Sequence, residues 1–232
     1  MPKLSNEELE ARREKIEEAA KVLFIKRGFH GTSMRDIAAE AGVSLGNLYN
    51  YYRTKEELLE SLILRYQQTV TEKINKIYEE VEEPLLPANL ARFGHLVRML
   101  VEEHYDYWLL MYIDVLEFEN CHFRKMFEGL TDKLRRRFDK HFRELEAKGL
   151  INPGIDPALG FSVAYLQFFN YFLIEKLFGG NHHLGITDSQ AIERLCEIFC
   201  RGILSPETSR RYYETCCDSR YRDLRASTHL DQ

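Results

Sequence analysis

The chain has 232 residues, 44% of them hydrophobic, so it can bury a sizeable core as one large domain or two smaller ones. A formal charge of −5 at pH 7 argues against a protein that coats nucleic acid without regard to sequence. The charge is uneven, because residues 1–55 hold ten Lys and Arg against eight Asp and Glu. This mildly basic front end would face a polyanion.

The composition predicts a cytoplasmic protein. The first fifteen residues are mostly charged and resemble no secretory signal, and polar residues interrupt the most apolar stretch, 161–178. Five cysteines without a CxxC spacing do not predict a disulfide framework. We expect free or buried thiols, and a redox sensor is the less favoured alternative.

The first predicted helix covers residues 6–27. Apolar residues recur along it at helical spacing, and charged residues fill its other faces. Gly28 follows the last apolar turn and is predicted to cap the helix at its C-terminal end.

Capping signals predict three further helix starts within the next thirty residues. Ser33 to Asp36 matches the capping box, in which a hydroxyl and an acid three residues later satisfy two orphan N–H groups. Thr54 to Glu57 matches it again, and Ser44 can cap the helix between them. Gly42, just before Ser44, stands where a helix must stop and a positive φ is needed.

These signals describe two short helices that meet at a glycine-containing turn, which is the helix-turn-helix arrangement. Leu48 and Tyr52 lie four residues apart and are predicted to point inward. The outer residues of the second helix are polar or aromatic and uncharged, which suits base edges and phosphates. An ordinary helical corner is the alternative, but the small inner residues and the position behind one amphipathic helix favour DNA binding.

Residues 29–38 (FHGTSMRDIA), 41–44 (AGVS) and 48–59 (LYNYYRTKEELL) resemble the signature of TetR-family transcriptional regulators. The resemblance implies an all-α fold with an N-terminal three-helix helix-turn-helix DNA-binding domain at 1–55. It further implies a larger helical domain for effector binding and dimerisation at 56–205. A peripheral, partly helical tail is expected at 206–232.

The family pattern places the recognition helix at about 45–51. Asn47 is the best candidate base reader, since its amide can pair with adenine, and Leu45 can meet a thymine methyl group. Lys55 begins the next helix and suits a phosphate. The predicted DNA contacts are Thr32, Ser33, Arg35, Ser44, Leu45, Gly46, Asn47, Tyr49, Asn50, Tyr51 and Lys55.

A long helix is predicted from Lys55 to about Val81, roughly 35–40 Å at 1.5 Å per residue. The resemblance implies that ligand-driven tilting of this helix changes the spacing of the two reading heads in a dimer. Pro84 and Pro87 mark a break. Further helices are predicted at 90–103, 105–117, 123–148, 159–178 and 189–203.

The 159–178 helix is apolar on nearly all sides, which indicates burial on all sides. A second subunit is predicted to cover its open face, and a monomer with a deep central helix is the alternative. One short helix reads too few base pairs to select a site, so a twofold pair on a pseudo-palindromic operator is expected. The predicted interface residues are Phe161, Tyr165, Phe172, Ile192, Leu195, Cys196, Phe199 and Ile203.

Bulky aromatic residues in the middle helices favour a cavity for a hydrophobic or aromatic effector, because rings pack less completely than aliphatic side chains. Each ring could equally fill an ordinary core. The predicted pocket residues are Phe93, Leu96, Leu100, His104, Trp108, Met111, Tyr112, Phe127, Tyr165, Phe168 and Phe169.

No cofactor or metal site is expected, because residues such as Asp114 and His122 form no recognised ligand motif. The sequence contains no nucleophile elbow or phosphate loop, so an enzyme is not expected. The leading hypothesis is a ligand-responsive repressor, as most family members are, although the residues do not distinguish it from an activator. Turnover of an apolar substrate would indicate an enzyme, and sequence-blind, salt-sensitive binding would indicate a DNA-organising protein.

Overall fold

The computed structural model of the protein describes residues 5–180 and 182–210. Within this part of the chain the fold is all-α, as predicted, and the only β-type pairing is an isolated antiparallel bridge between Ile151 and Leu204. The helices are α1 (Asn6–Arg27), α2 (Met34–Glu40), α3 (Leu45–Tyr49), α4 (Lys55–Glu80), α5 (Pro87–Glu103), α6 (Tyr105–Glu117), α7 (Arg124–Phe127), α8 (Leu130–Arg137), α9 (Asp139–Ala147), α10 (Pro157–Leu177) and α11 (Asp188–Ile203).

The helices group into two compact units. The first holds the described residues up to Glu72 together with His104–Glu128, and the second holds Lys73–Glu103 and the described residues from Gly129 onward. Helix α4 contributes residues to both units. The boundary expected at residue 55 stays a prediction about folding domains, whereas compactness groups α6 and α7 with the N-terminal helices.

The first unit is built on α1, which packs against α2 and α6. A capping box between Ser5 and Glu8 starts α1, and Gly28, with φ +76°, ends it as predicted. Lys21 is buried on α1 and pairs with Glu18 at 2.8 Å and with Asp106 of α6 at 3.1 Å. Burial alone would lower the pKa of Lys21, but its hydrogen bonds raise it above the ordinary value, so the ammonium group stays charged.

The second unit is built on α10, which packs against α5, α8 and α11. Gly94 permits the close approach of α5, because a Cβ atom there would lie 2.9 Å from the ring of Phe168. Among the described residues, α10 alone is long and apolar enough to cross a membrane. Of its most apolar window, 61% is buried, which is consistent with a core helix of a soluble protein.

The prediction of one long helix over 123–148 is wrong, because the structure divides this segment into α7, α8 and α9. Gly129 adopts the left-handed conformation, with φ +63°, which an α-helix does not allow. At Phe138 the backbone leaves helical geometry, with φ −112° and ψ 20°. This second break accompanies the burial of both Phe138 and Phe142, whose ring centroids lie 6.0 Å apart.

The predicted C-terminal tail is described only in part. Residues 206–210 are helical, and Thr208 and Ser209 within them are buried. Residues 211–232 lie outside the described part of the chain, so the expectation of a peripheral tail stays a prediction for them.

Candidate DNA interface

The helix-turn-helix begins with the capping box predicted at the start of α2. The Ser33 Oγ accepts from Asp36 N at 3.2 Å, and the Ser33 N donates to the Asp36 carboxylate at 3.0 Å. These contacts with Ser33 lower the pKa of Asp36. Gly42 forms the turn with φ +63°, and Ser44 then caps α3 by accepting from Asn47 N at 3.2 Å, both as predicted.

The start of α4 fulfils half of its predicted capping box. The Thr54 hydroxyl accepts from Glu57 N at 3.1 Å, as expected. The Glu57 carboxylate, however, accepts from the N–H of Arg53 at 2.7 Å instead of that of Thr54. The reciprocal contact is therefore displaced by one residue.

A buried carboxylate fixes the inner side of the helix-turn-helix. Leu48 and Tyr52 point inward as predicted, and the Tyr52 hydroxyl donates to Glu17 of α1. Glu17 is only 2% exposed and also accepts from Ser61 Oγ at 2.8 Å and pairs with Arg65 Nε at 2.7 Å. Burial and the nearby Glu17 charge raise the pKa of Tyr52. The end of the recognition segment is thus tied to both α1 and α4.

The outer side of α3 forms a surface that we call the reading surface, comprising Leu45, Gly46, Asn47, Tyr49 and Asn50. Tyr49 is 48% exposed, and Gly46 and Asn50 are exposed as well. A Cβ atom at Gly46 would meet nothing within 4 Å. The Asn47 Oδ1 is enclosed without a hydrogen-bond partner among the described residues, so this amide must turn outward before it can pair with a base.

Other predicted contacts flank this surface. Tyr51 is half-buried, whereas Ser33, Arg35 and Ser44 are exposed. The hydroxyl groups of Ser33 and Ser44 are used as helix caps. Arg35 is the cation among these three exposed residues, and its guanidinium can contact a phosphate or a guanine.

The predicted roles of Thr32 and Lys55 need correction. Thr32 is buried, and its hydroxyl donates to the carbonyl oxygens of Leu23 and Gly28 at 3.2 and 2.9 Å. The Lys55 ammonium donates to the carbonyl oxygens of Phe29 and Thr32 at 2.6 and 2.8 Å and lies 4.1 Å from the centre of the Phe29 ring. Both side chains hold the segment before α2 together, because the groups expected to meet phosphates are already bonded within the chain.

The sequence did not predict the contacts that Glu117, at the end of α6, makes with the segment before α2. Its carboxylate accepts from the N–H groups of Phe29 and His30 at 3.2 and 3.3 Å. The neighbouring ring of Phe118 packs edge-on against Phe29 at 4.7 Å between centroids. These contacts span more than eighty residues of sequence, so no local pattern signals them.

The predicted effector residues divide between the two compact units. His104, Trp108, Met111, Tyr112 and Phe127 belong to the first unit, and the other six belong to the second. In the second unit Phe93 lies at the centre of an aromatic cluster, with Phe161, Tyr165 and Phe168 at 4.9, 5.8 and 6.4 Å between centroids. Tyr78 stacks on Phe93 at 6.5 Å.

Two phenol groups lie within this aromatic cluster. Burial raises the pKa of Tyr165 to about 12, and burial together with the Tyr165 phenol raises that of Tyr78. A separate groove of about 430 Å³ in the second unit has mostly polar and charged lining residues, Glu175 and Asp188 among them. None of the predicted effector residues lines that groove.

Most of the predicted dimer residues are enclosed within the chain, which corrects their assignment. Phe161, Tyr165, Phe172, Ile192, Cys196 and Ile203 are buried, and Leu195 and Phe199 are half-buried. Because α10 is apolar on nearly all sides, its sequence predicted a buried helix but did not distinguish the residues on its inner face from those on its outer face. The open face instead carries three exposed apolar residues, and a fourth follows directly after the helix; we call these four the α10 stripe: Leu159, Val163, Ile174 and Phe178. On α11, Ile198 is 65% exposed.

Known proteins resemble the chain in both sequence and fold. The profile of "Bacterial regulatory proteins, tetR family" matches residues 16–62. The transcriptional regulator PksA of Bacillus subtilis is 44% identical over 68 residues, which is 29% of this chain and 33% of PksA. UidR of Escherichia coli is 26% identical over 158 residues, 66% of this chain and 75% of UidR.

A solved structure extends the similarity in fold. KstR2 of Mycobacterium tuberculosis, described as a ketosteroid transcriptional regulator, superposes with a TM-score of 0.57 at 20% identity, covering 84% of this chain and 95% of KstR2. The fold and the site define an all-helical protein with an N-terminal helix-turn-helix. Its helix-turn-helix matches the tetR family of bacterial regulatory proteins over residues 16–62, and its fold is similar to those of solved structures described as TetR-family transcriptional regulators.

Proposed function

We propose that the chain is a cytoplasmic homodimeric repressor that binds a pseudo-palindromic operator and is released by a small effector. The observation that carries this proposal is the reading surface. It is uncharged, with Gly46, Tyr49 and Asn50 exposed, and its helix is capped by Ser44 and anchored through Tyr52 to the buried Glu17. A rigidly held helix with free polar groups on its outer side suits insertion into a major groove.

Within the groove, Asn47 reads adenine after its amide turns outward. Tyr49 lies beside it and contacts a phosphate or a base edge. Gly46 lets the backbone approach closely, because it has no side chain to separate the helix from the DNA. Arg35 supplies a cation at the edge of the groove, so affinity falls as salt rises.

The α10 stripe and Ile198 support the dimer. Leu159, Val163 and Ile174 lie on one side of α10, since their spacings of four and eleven residues bring them back to nearly the same direction. Burying a large aliphatic side chain contributes about 1.5–3 kcal/mol, so a second copy seated on several of them has a substantial driving force. A twofold pair then requires half-sites about 34–36 Å apart, or a multiple of that spacing.

The aromatic cluster around Phe93 supports the effector hypothesis. Ligand pockets are mostly apolar and contain a few polar groups that fix orientation, and the phenols of Tyr78 and Tyr165 provide such groups here. We therefore propose a hydrophobic or aromatic effector with at least one hydrogen-bonding group. Binding at this cluster requires the rings to move apart, because Phe93 and Phe168 are buried.

Selection of bound fragments from genomic DNA by the purified full-length protein tests this function. We expect an enriched site with twofold symmetry, together with a dimer in sedimentation. Ile198→Glu should yield monomers with weaker operator binding, whereas Leu116→Glu, at an 81% exposed position in the first unit, should leave the dimer intact. Enrichment of no sequence, with steeply salt-dependent binding to all DNA, would favour the DNA-organising alternative.

Hydrophobic and aromatic compounds can then be screened for release of the enriched DNA. We expect an active compound to lose its effect in Phe93→Ala, while that variant still binds the operator. Retention of the full effect in Phe93→Ala would place the effector elsewhere.

A further inference from the structure

Asp114, in the last turn of α6, is a fully buried carboxylate that faces the segment after the helix. It is 0% exposed, and its Oδ2 accepts from the N–H groups of His122 and Phe123 at 3.2 and 3.0 Å. The His122 Nδ1 lies 2.6 Å from Asp114 Oδ1. A buried carboxylate of this kind requires partners, and this segment supplies them.

A tight reversal of the chain brings a cysteine to the same carboxylate. Glu119 and Asn120 both adopt left-handed backbone conformations, with φ of 53° and 61°. The Asn120 N donates to the Asp114 carbonyl oxygen at 3.0 Å, which closes the turn. As a result, the Cys121 Sγ lies 3.8 Å from Asp114 Oδ1 and 3.2 Å from His122 Nδ1. Cys121 is not among the candidate metal ligands predicted from the sequence.

The three donor atoms are close to the geometry of a metal site. They lie within 4.8 Å of one another, with separations of 2.6, 3.2 and 3.8 Å. In a tetrahedral zinc site, bond lengths of about 2.0–2.3 Å place the donor atoms roughly 3.3–3.6 Å apart. The contact between Asp114 and His122 therefore has to open by less than about 1 Å. The distances from Cys121 Sγ to Asp114 Oδ1 and to His122 Nδ1 have to change still less.

From this arrangement we propose that Asp114, Cys121 and His122 bind a divalent transition-metal ion that accepts a thiolate ligand, with Zn²⁺ as the representative. A thiolate, an imidazole and a single carboxylate favour such an ion over Mg²⁺ and Ca²⁺, which prefer oxygen ligands. Cys121 is exposed and His122 is partly exposed, so an ion can enter from solvent and keep a water molecule as its fourth ligand.

The position of the site gives it a route to the reading surface. Glu117 and Phe118, which hold the segment before α2, lie between Asp114 and Cys121 in the chain. An ion bound at Asp114 and Cys121 would restrain both residues within the first unit. This route does not involve the aromatic cluster around Phe93.

Titration of the reduced full-length protein with Co²⁺ tests the site, because cobalt–thiolate absorption reports directly on cysteine coordination. We expect one ion per chain, displacement by Zn²⁺, and no displacement by Mg²⁺. Cys121→Ser, at an exposed position, should retain the fold by circular dichroism and lose the absorption band. His122→Ala should weaken binding at least about tenfold, since even residues behind metal ligands contribute that much.

The double variant Cys216→Ser/Cys217→Ser is the matched control, because it removes two thiols elsewhere in the chain. It should bind Co²⁺ as the unaltered protein does. The proposal is overturned if the protein shows no thiolate band. It is also overturned if the band persists in Cys121→Ser or disappears in the control.

Discussion

Replacing Tyr52 by Phe tests whether the buried carboxylate of Glu17 anchors the helix-turn-helix. The substitution removes one hydroxyl group and leaves the ring, so the packing around this 2% exposed side chain changes little. Glu17 keeps two partners, Ser61 Oγ at 2.8 Å and Arg65 Nε at 2.7 Å. The variant therefore removes the hydrogen bond between Tyr52 and Glu17, together with a longer contact of the Tyr52 hydroxyl with Ser61 Oγ at 3.4 Å.

The expected loss follows from the kind of hydrogen bond removed. A bond to a charged group contributes about 1.5–3 kcal/mol, and the two partners that remain on Glu17 place the loss near the lower end. We expect the free energy of unfolding to fall by about 1.5–2 kcal/mol. Urea denaturation followed by circular dichroism measures this difference through the shift of the midpoint.

Tyr49→Phe is the matched control, since it makes the same chemical change three residues away. The Tyr49 ring is about half exposed, and no described residue accepts from its hydroxyl. The free energy of unfolding of Tyr49→Phe should differ from that of the unaltered protein by no more than about 0.5 kcal/mol. Equal unfolding midpoints for the two variants would refute the anchoring role of Glu17.

Three further substitutions have definite expected outcomes in urea denaturation. Gly46→Ala should raise the free energy of unfolding by about 0.4–1 kcal/mol, because its Cβ meets open space, while weakening operator binding through the added methyl group. Gly94→Ala should lower it by about 1 kcal/mol net, because a Cβ 2.9 Å from the Phe168 ring overpacks the core by more than the gain in helix propensity. Asp156→Ala should lower the free energy of unfolding by about 1 kcal/mol at pH 7, because the Asp156 carboxylate caps the N-terminus of α10. The Arg135 guanidinium and the backbone N–H groups lower the pKa of Asp156, so its stabilisation is complete above the ordinary carboxyl pKa of about 4 and should disappear as pH falls through the folded-state value.

Two results would contradict these predictions. Identical signs for the two glycine substitutions would contradict the difference in space at these positions. A gap between Asp156→Ala and the unaltered protein that stays constant down to pH 2 would show that the carboxylate charge contributes nothing to the cap.

Local chemistry made the helix-turn-helix predictable. The contacts of Ser33 with Asp36, the turn at Gly42 and the cap at Ser44 all act within three residues, so their signals are adjacent in the sequence. The inward direction of Leu48 follows from helical spacing in the same way. The predicted bounds of α4 and α6 agree closely with the structure for the same reason.

Contacts between distant segments were not predictable. Lys55 has the composition of a phosphate ligand, but its ammonium bonds to carbonyl oxygens more than twenty residues away. Phe161 and Ile192 are as apolar as an interface requires, yet the chain itself covers them. Cys121 has no motif, and only the reversal at residues 119–120 brings it to Asp114. In each case the partner is fixed by tertiary packing, which one sequence does not reveal.

The claim that the reading surface enters a DNA groove in both halves of a twofold assembly is tested most directly by repeating the operator selection with Asn47→Ala. We expect the variant to enrich the same site but lose its preference at one base pair in each half-site, at symmetric positions. The discrimination lost there should be about 1–3 kcal/mol. An unchanged motif, or an equal loss of preference at every position, would contradict the account.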